Sequence, residues 1–267
     1  MRQLPILTTL NHSIESTFRN IRFAFHASWP WMLVLLPINI AGNIYLLGLG
    51  EFDPTKPINP KFMFVTLAMG VASALAFSSI AVNWHRYILL NDVPRGTERL
   101  RLDGLVARYF GNTLLIGLLV ALVATLFFLP IGLAGSLLFA ASKSFAIFFA
   151  SVAGILMFLA LIGLSIRWSL KLVSVAMGRQ DFGIEDGRKA SEGNHWRIVW
   201  LYVLVFLVLI IVGSVFGGVS YVLGSSESVV ALSTLVAVQM AVNWISTIWN
   251  ITLLTSLYGF FVEQRDF

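Results

Sequence analysis

Residues 198–224 read IVWLYVLVFLVLIIVGSVFGGVSYVLG, an apolar run without one charged side chain. It exceeds the roughly 20 residues a helix needs to cross the hydrocarbon layer of a bilayer. Five other runs have the same character: Trp29–Leu49, Phe62–Leu90, Tyr109–Ala141, Ser144–Met177 and Val229–Val262. Together they predict an all-α, polytopic integral membrane protein with six transmembrane helices arranged as three hairpins. Several runs are longer than a perpendicular crossing requires, which predicts tilt or helices that continue beyond the membrane surface.

The charges give the expected orientation. Of the 18 Lys and Arg, only Lys56, Lys61 and Lys143 lie in the short outer connections; the other 15 lie in the N-terminal segment, the 86–108 connection, the Arg167–Arg197 region and the C-terminal tail. Short basic loops are retained on the cytoplasmic side during insertion, so both ends are expected inside. The same asymmetry accounts for the net charge of +5. Juxtamembrane arginines suit anionic lipid headgroups, and nucleic acid is not expected as a partner.

A composition of 58% hydrophobic and 12% charged residues, with a mean hydropathy of +0.85, fits one membrane domain over 1–267. The polar connections near Asn91–Arg108 and Gly178–Arg197 are far shorter than the roughly 100 residues of a soluble catalytic domain. The absence of cysteine excludes disulfides and thiolate chemistry. The first 28 residues are polar and amphipathic, and the run from Trp29 is too long for the apolar part of a cleavable signal.

On the inner side, Leu10, Ile14, Phe18, Ile21 and Phe25 recur at helical spacing opposite Arg19 and Arg22, which predicts a helix lying on the membrane. Leu102, Leu105, Val106, Tyr109 and Phe110 repeat that pattern beside Arg99, Arg101 and Arg108. The third connection, Asp181–Trp196, has fewer bulky apolar residues. Gly111-Asn112 recurs as Gly193-Asn194, and Asn83-Trp84-His85-Arg86 falls about one period before Ile166-Arg167-Trp168. A repeat of three units, 1–90, 91–177 and 178–267, is therefore expected.

This layout, with the stretch Lys189-Ala190-Ser191-Glu192-Gly193-Asn194-His195-Trp196, resembles a diffuse group of bacterial six-helix membrane proteins. That group includes the membrane domain attached to some glycerophosphodiester phosphodiesterases. The catalytic barrel of those enzymes has no counterpart here, so the resemblance implies an accessory membrane domain, carries over no catalytic residue, and points to the bacterial cytoplasmic (inner) membrane.

All 13 carboxylates fall in connections or tails, which argues against the intramembrane acids that ion-coupled transporters use. The histidines His12, His26, His85 and His195 are scattered, so no metal site and no cofactor is expected. No nucleophile elbow, phosphate loop or HExxH motif occurs, so an enzyme is not expected.

Two sets of residues remain as candidates. His85 and Arg86, with Arg167 and Lys171 of the next unit, combine guanidinium forks with an imidazole donor, the chemistry of a lipid-headgroup or anion site; their plainer role is anchoring and snorkelling at the interface. Asn39 and Asn43, with Gln239, Asn243, Ser246 and Asn250, form polar stripes in the first and sixth spans. Such stripes glue helices together at about 0.6 kcal/mol per contact, or line a cavity. Gly213 and Gly217 form a small-residue motif suited to helix packing. The expected function is non-catalytic: an accessory, scaffold or assembly protein acting through anionic membrane lipids or a membrane-protein partner. The alternative is a small-solute or lipid transporter or channel with a cavity bordered by the sixth helix.

Overall fold

The computed structural model describes residues 2–49, 59–224 and 229–267, and every regular element among them is helical. The order is α1 (Ile6–Arg19), α2 (Ile21–Gly48), α3 (Pro60–Leu90), α4 (Gly104–Ala141), α5 (Lys143–Ala176), α6 (Ile184–Ala190), α7 (His195–Gly224) and α8 (Val229–Phe261). A short 3-10 turn, Gly96–Leu100, precedes α4. The Ser225–Ser228 connection and residues 50–58 of the first outer connection lie outside the described residues.

Local chemistry sets the boundaries. Asn59 caps α3 by accepting from the Lys61 amide, and Pro60 occupies the first turn, where its missing N–H costs nothing. Asp103 caps α4 by accepting from the Leu105 and Val106 amides. Ser142 alone joins α4 to α5: its amide closes the first helix on Leu138, and its hydroxyl accepts from Phe145 to open the second. Gly178 ends α5 at φ +82°, with the Gly178 and Arg179 amides returning to Val175 and Ser174.

Among the described residues, α2, α3, α4, α5 and α7 are long and apolar enough to cross a membrane, so the chain is a multi-pass membrane protein. Arg2 bonds to the Asp266 carboxylate and to the Arg265 carbonyl, so the first and last described segments meet at one end of the bundle.

Burial is concentrated at that same end. One core joins Leu4 and Leu10 to Leu170, Ile198, Leu201, Leu253 and Leu257; a second joins Ala24, Trp84, Val106, Tyr109 and Leu172 to Ile248 and Ile251. The last turns of α8 belong to both, which makes them the axis of the packed half. Towards the other end, Leu118, Leu122 and Leu126 of α4, Phe148 and Ile155 of α5, and Ile211 and Val215 of α7 are exposed. An apolar surface this extensive calls for lipid rather than water.

Several expectations meet a different geometry. Helix α1 buries Thr9, Leu10, Ser13, Ser16 and Thr17, while Phe18, and Phe25 at the start of α2, stay more than half exposed. Small hydroxyl residues let α1 approach α8 closely, and Ser13 Oγ accepts the Trp249 indole N–H at 2.9 Å. The Leu105–Phe110 pattern is the first part of α4 rather than a separate helix, because the Asp103 cap starts a helix that then runs on to Ala141. Among the described residues, the stripes bond within their own helices: Asn39, Asn43 and Asn250 donate to carbonyls one turn back, and Gln239 donates to Asn243. Among the described residues, no neighbouring atom comes within 4 Å of where a Cβ would stand at Gly213 or Gly217.

Candidate functional site

At the packed end, three helix ends and the C-terminal tail enclose a cavity of about 340 Å³. Helix α1 contributes His12, Ser16 and Arg19, with Asn20 just beyond it, residues spaced to share one flank of a helix. Tyr87, Ile88 and Leu89 come from the last turn of α3, followed by Asn91. Thr255, Ser256 and Gly259 come from α8, and Arg265, Asp266 and Phe267 from the tail.

Two left-handed residues shape this rim. Asn91 and Gln264, both at φ +55°, are the non-glycine residues in that region among the described chain. Asn91 ends α3 and turns its side chain position into the cavity wall; Gln264 folds the tail back so that the Arg265 amide bonds to the Gly259 carbonyl. Asn adopts this conformation readily, but Gln does so at a cost, and such costs concentrate where the fold needs a particular shape.

The tail is held in place from several sides. Arg265 donates to the Leu89 carbonyl at 3.2 Å and pairs with Glu263, and Phe267 stacks on Phe260 and touches the His12 ring. Arg2 neutralises Asp266. Across the cavity, Arg19 is largely exposed and has only a loose 3.9 Å contact with Glu15. Burial holds the His12 imidazole below its usual value; the Glu15 carboxylate opposes this and Arg19 adds to it. The lining therefore presents two guanidiniums, amides and hydroxyls, with its one carboxylate already paired.

Beneath the floor runs a buried polar chain. Thr255 donates its hydroxyl proton to the Ile251 carbonyl at 2.8 Å, which leaves its oxygen to accept from His85 Nδ1 at 2.8 Å. That places the His85 proton on Nδ1, so Nε2 accepts from the Tyr109 hydroxyl at 3.3 Å. Helices α4, α3 and α8 are thus tied together by groups that are fully or almost fully buried.

The residues expected at an anion site are placed differently from one another. His85 is inside this chain. Arg86 donates Nε to Asp92 at 2.7 Å and Nη1 to the Ala176 carbonyl at the end of α5. Arg167 donates to the Ser191 hydroxyl and to the Arg188 carbonyl in the last turn of α6. Ala176 lies nine residues beyond Arg167 on one helix, about 13 Å of rise, so the two arginines serve separate junctions. Lys171 has no hydrogen bond or ion pair to any of them among the described residues. These arginines satisfy carbonyls that helix ends leave open.

Sequence reading passed over Thr255, Tyr109, Tyr87, Asn91 and Arg265. A signal existed for part of the set: His12, Ser16, Arg19 and Asn20 share a helical flank, and Thr252, Thr255 and Ser256 are hydroxyl residues at helical spacing in an apolar helix. No family model matches the chain, and no curated protein or solved structure is detectably similar to it.

Proposed function

We propose that this is a non-catalytic protein of the bacterial cytoplasmic membrane, an accessory, scaffold or assembly factor working through lipid headgroups or a membrane partner at its basic, packed end. The single observation that carries this reading is the meeting of a polar, arginine-bearing cavity with both described chain ends, while the opposite half exposes apolar side chains. In this reading α8 is the sixth span and both ends are cytoplasmic, because the packed end is the basic one and basic segments stay inside.

Helix α1 then lies at the inner interface with Leu7 and Phe18, and Phe25 of the first turns of α2, turned outward towards lipid. The five other spans present their exposed apolar halves to acyl chains or to a partner's helices. A transporter reading draws less support, since the stripe amides of α8 bond within their own helix and the cavity beside Ser246 is lined by Ile14, Phe18, Val208, Leu209, Val212 and Val242.

The test is purification of the intact protein in mild detergent followed by mass spectrometry of everything retained. A stoichiometric protein partner or one enriched class of anionic lipid is expected. Protein recovered with neither, together with solute flux after reconstitution, would count against the proposal.

A further inference from the structure

We propose that the cavity between α1, the end of α3, the end of α8 and the C-terminal tail is a binding site for a phosphate group. The inference deepens the accessory reading and rests on it for the membrane setting. Four observations converge. The volume of about 340 Å³ is within the range of small-ligand pockets. The floor carries an almost wholly buried hydroxyl, Ser256 at 7% exposure, beside Thr255, whose own proton goes to the Ile251 carbonyl. Guanidiniums stand on two different walls, Arg19 on α1 and Arg265 on the tail. The backbone is bent into the left-handed region at Asn91 and next to Arg265, which fixes the rim.

Tetrahedral phosphate suits such a lining better than a planar carboxylate. Its oxygens accept from several directions at once, and here donors come from Arg19 on α1, Asn91 at the end of α3, Ser256 on α8 and Arg265 in the tail. Arg19 has no close partner and is free to give a forked contact. Arg265 uses one terminal nitrogen on the Leu89 carbonyl and Glu263, leaving its others unspent. Asp266 is the one acidic side chain in the wall, and its pairing with Arg2 offsets the repulsion it would offer a phosphate. The phosphate belongs either to a lipid headgroup, since the site lies where the spans end, or to a small soluble ester.

The full-length protein in neutral detergent is titrated with inorganic phosphate in one arm. In the other it is placed in nanodiscs of phosphatidylcholine with and without phosphatidic acid, and bound lipid is counted by native mass spectrometry. Arg19→Gln is the informative variant, because Arg19 is exposed and holds no structural contact closer than 3.9 Å. Arg22→Gln, one turn further along and not in the cavity wall, is the control. Losing one charge-assisted contact predicts a drop of about tenfold or more in affinity for Arg19→Gln and less than about twofold for Arg22→Gln.

Arg19 dependence in the lipid arm alone assigns the phosphate to a headgroup, and in the inorganic arm to a soluble ester; either supports the site. Equal binding by wild type and Arg19→Gln in both arms, or an equal loss with Arg22→Gln, overturns it while leaving the accessory role standing. Movement of phosphate across reconstituted vesicles, with Arg19 dependence intact, would instead overturn the accessory role and leave the site.

Discussion

The imidazole Nδ1 of His85 and the hydroxyl oxygen of Thr255 meet at 2.8 Å inside the bundle, joining α3 to α8 with the Tyr109 hydroxyl on the ring's other nitrogen. Both partners are buried, so removing one strands the other. Thr255→Val should cost about 1–3 kcal/mol, the penalty for an unsatisfied buried group. Replacing both, as in His85→Phe with Thr255→Val, should cost less than the sum of the single changes. Thermal unfolding of the three variants in detergent checks this, and strict additivity would show that the contact contributes nothing.

The membrane class was legible because an uncharged run such as 198–224 has one stable environment for its backbone. The asymmetry of the arginines was legible too, but not their use. From sequence Arg86 and Arg167 could be read only as interface anchors or headgroup ligands, because nothing in a linear chain shows that Ala176 and Arg188 will bring open carbonyls beside them. The seat of α1 on α8 was not legible either: hydrophobic spacing marks Leu10, Ile14 and Phe18, but nothing in it shows that Ser13 will accept the Trp249 indole N–H on the buried flank. The cavity was out of reach, since its four walls come from segments separated by most of the chain.

That contact gives a second expectation. Ser13→Ala removes the acceptor of the Trp249 indole and leaves a buried N–H without a partner, a loss of about 1–3 kcal/mol. The cost should fall mainly on the docking of α1. Hydrogen exchange read by mass spectrometry should show faster exchange in Ile6–Arg19 with little change in α5, and uniform protection would contradict this account.

Glycines separate into two kinds. A Cβ at Gly187 would stand 2.6 Å from the Arg167 carbonyl oxygen and 3.3 Å from Leu170 Cβ, and backbone cannot yield as a flexible side chain does. Gly187→Ala should therefore push α6 off α5, loosen the Arg167 bonds to Ser191 and Arg188, and destabilise by about 1–3 kcal/mol. Gly213→Ala meets open space among the described residues and should leave the monomer's thermal midpoint unchanged. If Gly213→Ala alone altered behaviour in native mass spectrometry, the motif would serve contact between molecules.

His12 makes stability depend on pH in a predictable direction. Burial lowers its folded value relative to the unfolded imidazole, near 6.5, with Glu15 opposing and Arg19 assisting. A depressed folded value means that the neutral ring is the one the fold favours. Its contribution is fully present above about pH 6.5 and is lost as the pH falls through the folded value. The thermal midpoint should therefore decline between about pH 7 and pH 5, and His12→Gln should flatten the part of that slope due to this ring. Since Phe267 rests against His12, the decline should be accompanied by increased protease access to the tail after Phe261. A His12→Gln slope as steep as that of the wild type would show that this ring is not the source of the acid sensitivity.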